Sequence, residues 1–143
     1  MRRKIGRMMA VLLAIVLLTA CAGKDLPEGF VEEEVLDRAR NVASLMTAED
    51  YEGTAALFSP AMAEKLDAAT MEETVGDQIR ELGEFEAITT EKVAGASDKD
   101  AGDVAVVVLV CKHTNGKATY TISIDRDDRI CGLYMRCDRK SKK

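Results

Sequence analysis

Tryptophan is absent, histidine occurs once, and three tyrosines with three phenylalanines are the only aromatic residues. Sugars and bases are commonly held by stacking on aromatic rings, so this scarcity argues against such a platform. A basic excess is missing too. Four of the 20 basic residues and none of the 25 acidic ones precede Cys21, which leaves 16 against 25 after it, a net charge of −9. Nucleic-acid binding needs a basic footprint, so that class is excluded. No phosphate loop, zinc spacing or serine triad occurs. The acidic residues of Asp125–Asp128 lack the glycine and distal glutamate of a calcium loop. The sequence therefore predicts no metal and no cofactor. A membrane-spanning run is also lacking. Met8–Ala20 is uncharged but only thirteen residues long. As a helix it would reach roughly 20 Å against a hydrocarbon core of about 30 Å.

What that run does resemble is a secretory signal. Arg2, Arg3, Lys4 and Arg7 precede it, and Thr19, Ala20, Ala22 and Gly23 supply small residues at its end. Ala20-Cys21-Ala22 would suit an ordinary secretory cut. Leu18-Thr19-Ala20-Cys21, with its cysteine at the edge of the run, matches a bacterial lipobox better. On that reading Cys21 carries a diacylglycerol, and two acyl chains suffice for stable anchoring. The expected organisation is a signal peptide at 1–20, a lipidated tether at 21–29, one domain at 30–137 and a frayed basic tail at 138–143. The expected location is the extracytoplasmic side of the cell membrane. The 123 residues from Cys21 onward suit a single domain.

Within the domain, apolar residues first recur at helical spacing. Val31, Val35, Ala39, Val42 and Leu45 or Met46 predict a helix over 30–46. Glu32, Glu33 and Glu34 fall in its first turn and read as a solvated start. A shorter helix is expected from Thr47 or Ala48 to Phe58, and another after the Ser59-Pro60 restart. A fourth is expected from the Thr70-x-x-Glu73 capping box to Gly83. The pattern then turns β-like: strands at 84–93, 103–113, 117–125 and 129–137, with Asn115-Gly116 as a hairpin signal. Pairing Thr114 with Lys117 and Arg126 with Arg129 gives one apolar face, in rows Val107-Ile124-Cys131, Leu109-Ile122-Leu133 and Cys111-Tyr120-Met135. Cys111 and Cys131 then lie two strands, about 10 Å, apart. A disulfide needs Cα atoms within roughly 7 Å, so three free thiols are expected beyond Cys21.

Leu26-Pro27-Glu28-Gly29-Phe30, Glu84-Phe85-Glu86-Ala87-Ile88, Tyr120–Asp125 and Ile130-x-Gly132-Leu133-Tyr134 together resemble bacterial lipoproteins carrying the domain of unknown function 3887. The resemblance runs from Cys21 to about Arg136. It implies an α+β fold of the nuclear transport factor 2-like or cystatin-like type, a cone in which N-terminal helices pack on a curved four-stranded antiparallel sheet. It carries over no catalytic residue, because the family has no agreed activity.

Three functions follow as expectations. The first is a non-catalytic, membrane-anchored binding module whose cone holds a small apolar ligand among Tyr51, Phe58, Phe85, Leu109, Tyr120, Leu133 and Met135; a packed core is the plainer reading of the same residues. The second is an isomerase- or cyclase-like enzyme, with Tyr120 as a proton donor to an oxyanion. It would need a base, and His113 is expected at a solvated rim. The third is a homodimer through the outer sheet face, where Val106, Val108, Val110, Ile130 and Tyr134 would form an apolar stripe.

Overall fold

A computed structural model describes residues 24–141. The signal segment and Cys21 lie outside the described residues. Four helices come first: α1 (Glu32–Thr47), α2 (Tyr51–Ala55), α3 (Pro60–Lys65) and α4 (Ala68–Glu81). Four strands follow: β1 (Phe85–Asp98), β2 (Gly102–His113), β3 (Gly116–Ile124) and β4 (Ile130–Arg139). They form one antiparallel sheet in sequential order. The fold is α+β, with the helices N-terminal to the sheet.

α1 buries Val35, Leu36, Ala39, Val42, Ala43 and Met46. Their three-to-four spacing lays one stripe against the sheet, while the glutamates of its first turn stay exposed. α2 is shorter than the 47–58 predicted. α1 runs on through Thr47, Glu49 takes a left-handed φ of 58°, and Asp50 becomes the cap by accepting from Gly53 N at 2.9 Å. The Ser59-Pro60 restart forms as the residue types require, with Ser59 Oγ accepting from Met62 N at 3.3 Å. α4 starts ahead of the expected capping box. Asp67 Oδ1 accepts from Thr70 N at 2.8 Å, which puts Thr70 inside the first turn.

β1 extends five residues beyond Val93, because Asp98 Oδ1 accepts from the amides of Asp100 and Ala101 and folds 99–101 into a tight turn. The β2–β3 register is offset by two residues from expectation. His113 pairs with Gly116, so Thr114-Asn115 is the turn and Leu109 opposes Tyr120. Docking of the α4 end causes this. Asn115 N donates to Leu82 O and Thr114 N to Glu84 O, at 2.8 and 2.9 Å. Gly116 also lies so close to β4 that a Cβ there would sit 2.2 Å from Asp138 O. A shift of two keeps every side chain on its face. The β3–β4 register is the expected one for Tyr120-Met135 and Ile122-Leu133.

The exception is a bulge. The register slips between Ser123 and Ile124, so Ile124 pairs with Ile130 and Cys131 is the extra residue. Strict alternation put Ile130 on the outer face; the inserted residue turns it inward, and it is 0% exposed. Its backbone is held as well: Ser59 N donates to Ile130 O and Ile130 N to Leu57 O. The inner rows are therefore Ala105-Ile124-Ile130, Val107-Ile122-Leu133, Leu109-Tyr120-Met135 and Cys111-Ala118-Cys137. Cys111, Cys131 and Cys137 are all free.

The folded unit outruns the 30–137 expected on both sides. β4 continues to Arg139, and Lys140 donates from N to Asn115 O and from Nζ to Thr114 O. Upstream, Lys24–Phe30 lies on the domain: Lys24 O accepts from Gly95 N at 2.9 Å, and Leu26 and Phe30 pack on the core.

Candidate binding cleft

Six of the seven residues named for a hollow pack in or against the core, as the plainer reading had them. Tyr51, Phe58, Leu109 and Tyr120 are buried members of the core, and Leu133 and Met135 pack against it half-buried. Phe85 alone of the seven stands outside, 44% exposed. It borders an apolar cleft of about 380 Å³ between the C-terminal half of α1 and the start of β1, lined by Arg40, Ala43, Ser44, Thr47, Ala48, Phe85 and Ile88. The cleft exists because α1 turns small side chains toward this part of β1, where large ones would have closed the gap. β1 is irregular there, with register shifts at 85–87 and 88–90. Pattern reading missed Thr47, Ile88 and the small α1 residues. The one signal available was the Ala43-Ser44 and Ala48 spacing beside the core stripe.

Several buried side-chain polar atoms lack a partner among the described residues. The buried Thr47 Oγ1, Tyr51 OH, Tyr120 OH and His113 Nε2 form no hydrogen bond. Leaving such a group unpaired costs about 1–3 kcal/mol. Burial pushes the Tyr120 phenol well above its ordinary range, with the neighbouring Cys111 adding to the effect. His113 is not the solvated rim residue expected but is 1% exposed. Its Nδ1 lies 3.2 Å from Gly83 O. A carbonyl only accepts, so Nδ1 is the donor in this contact. Phe85 packs edge-on to this imidazole, centroids 5.8 Å apart.

The rim is charged. Arg40 Nε and Nη2 donate to the two oxygens of Glu91 at 2.6 and 3.1 Å, and Nη1 donates to Asp37 and Glu33. These contacts fasten α1 to β1 beside the opening and hold the Glu91 carboxyl below its ordinary range. Among the described residues the buried polar side chains are Thr54, Ser59 and His113, with no carboxylate. No cluster of three or more metal-ligating side chains occurs among them either. Burial raises the Cys111 and Cys131 thiols to about 11. They are therefore protonated at neutral pH and poor nucleophiles.

On the opposite sheet face, Val106, Val108 and Val110 are half-buried beside Ser123, Thr121 and Thr119. Tyr134, next to Thr121, is 66% exposed. Ile130 is missing from this stripe for the reason given above.

Residues 39–133 match the family model described as "Protein of unknown function (DUF3887)". The chain belongs to the DUF3887 family. The matched segment takes in most of α1, all of the cleft lining and the sheet as far as Leu133. An NMR structure of a protein from Ruminococcus gnavus ATCC 29149 is similar to this DUF3887 chain at 25% identity and a TM-score of 0.66. The likeness covers 78% of this chain and 96% of that one. A comparison with curated proteins returned no match.

Proposed function

We propose that this DUF3887 protein is a lipid-anchored, extracytoplasmic binding module that holds a small apolar ligand without transforming it. The observation that carries the binding reading is the cleft itself: an exposed phenylalanine and Ile88 facing small α1 residues, with Ser44 and Arg40 as the polar groups beside them. Ligand sites combine an apolar lining with a few polar groups in this way. Helices packed on one face of a bulged four-stranded meander support the nuclear transport factor 2-like reading of the fold. The isomerase-like alternative would need a base beside Tyr120, and the one buried histidine, His113, packs against Phe85 and faces Gly83 O.

A series of C6–C12 aliphatic alcohols, followed by amide chemical shifts, tests the site. Saturable shifts confined to Ser44–Ala48 and Phe85–Ile88, abolished by Ile88→Asp, are expected. Shifts that never saturate would remove the ligand. The anchor rests on the Leu18–Cys21 lipobox, outside the described residues. Cys21→Ala should move the protein from the membrane to the soluble fraction or leave it unprocessed; unchanged membrane fractionation sinks that part.

A second reading rests on Tyr134, the most exposed large apolar side chain of the sheet. With Val106, Val108 and Val110 it would form a homodimer face. Sedimentation of the domain should then show a dimer that Tyr134→Glu dissociates, and a monomer at all concentrations rejects it.

A further inference from the structure

Lys24–Phe30 has the composition of a linker, yet it is bound along its length. Its first described carbonyl, Lys24 O, accepts from Gly95 N on the edge strand β1. The next one, Asp25 O, occupies the space of a Gly95 side chain: a Cβ there would lie 2.2 Å from it. At the other end Arg126, in the β3–β4 turn, donates from Nη1 to Glu28 O at 2.8 Å and from Nη2 to Asp103 at 2.9 Å. The same guanidinium lies over the Phe30 ring, 5.5 Å from its centroid. Leu26 and Phe30 bury part of their surface on the core. The segment is a strap with two fastenings.

We propose that this strap turns the membrane tether into a mount, which presents the end of the domain carrying the β1–β2 and β3–β4 turns to the lipid surface. The proposal rests on the reading of Cys21 as the lipidated residue. Three residues, Cys21 to Gly23, then separate the acyl chains from a docked Lys24, and fully extended they span about 10 Å. A free tether from Cys21 to Phe30 would reach roughly 30 Å and permit any orientation. Gly95 lies three residues from the turn end of β1 and seven from Ile88 at the other. At ~3.3 Å per residue the cleft starts roughly 23 Å further along the strand. The mounted domain therefore opens its cleft away from the bilayer, and the ligand arrives from the aqueous side rather than from the lipid.

Full-length lipidated protein in nanodiscs doped with a gadolinium-chelating lipid tests this through paramagnetic broadening of its amides. Strong broadening of 99–102 and 125–129, with 85–88 and Thr114-Asn115 spared, is expected. Arg126→Ala, which unfastens one end of the strap, should even out the two ends and raise hydrogen exchange at the Gly95 amide. Gly95→Val should do the same from the other fastening. Equal broadening of both ends in the wild type, with the protein still bound to nanodiscs, overturns the mount and leaves the anchor standing. Protein that fails to bind nanodiscs overturns the anchor and the mount with it.

Discussion

Ile130 shows how much one residue can change. Cys131 is inserted opposite the Ser123–Ile124 step, and the alternation of β4 reverses across it. An exposed stripe residue thereby becomes part of the core. Ile130→Ala should cost about 2–5 kcal/mol, the range for deleting a buried aliphatic side chain. Val108→Ala, on the half-exposed outer face, should cost about 1 kcal/mol or less. Urea midpoints of the two variants check this, and equal losses would put Ile130 back on the surface. The thiols make a second case. Cys111 is 0% exposed and its thiol is raised to about 11 by burial. At pH 7.5 iodoacetamide should leave it unmodified in the folded protein. Unfolding without a reductant should release three titratable thiols from Cys111, Cys131 and Cys137. Finding one would mean a disulfide that the sheet spacing forbids.

At the scale of elements, ends and turns are settled by what docks on them. The β2–β3 turn illustrates the point. Asn-Gly as the two central residues is a strong local preference, yet the turn forms one residue earlier, on Thr114-Asn115. The amides of Thr114 and Asn115 are claimed by Glu84 O and Leu82 O, just past α4. Gly116 enters β3 instead and lets the Asp138 carbonyl approach. Gly116→Ala should therefore cost about 3 kcal/mol, at the upper end for ordinary single substitutions. Chemical denaturation measures it, and a neutral result would return Gly116 to the turn. The strap belongs to this scale too. Its sequence is that of a linker, and only its contacts with Gly95 and Arg126 make it part of the domain.

For the molecule as a whole, pH acts through carboxylates held below their ordinary range. Glu91 is depressed by Arg40, Asp67 by Thr70 at the start of α4, and Asp98 by the Ala101 and Asp100 amides. A carboxyl with a lower folded than unfolded pKa stabilises the fold above its unfolded value, and that contribution is lost as pH falls through the folded value. The urea midpoint should thus be flat from about pH 8 to 5 and drop below about pH 4. These groups face solvent, so salt should shrink the effect. Glu91→Gln, which also loosens α1 from β1 beside the cleft, should reduce the acid loss. A midpoint that rises on acidification would refute the assignment.

Periodicity and turn signals by themselves determined the helical half, the four-stranded meander, the inner face apart from the β4 bulge and the free state of Cys111, Cys131 and Cys137. Each depends on spacing along a strand or helix, which a chain carries without knowing its neighbours. Val107, Leu109, Tyr120 and Ile122 face the core in either register, because a slip of two leaves parity unchanged. Tertiary structure alone decided the β2–β3 register, the inward turn of Ile130, the docking of Lys24–Phe30 and the place of the cleft. Those depend on backbone groups far apart in sequence finding one another: Gly95 with Lys24, Asn115 with Leu82, Ser59 with Ile130. Local propensity has no term for such pairings. Phe85 reached the cleft for the same reason, since a strand residue becomes a wall only when a helix of small side chains is laid beside it.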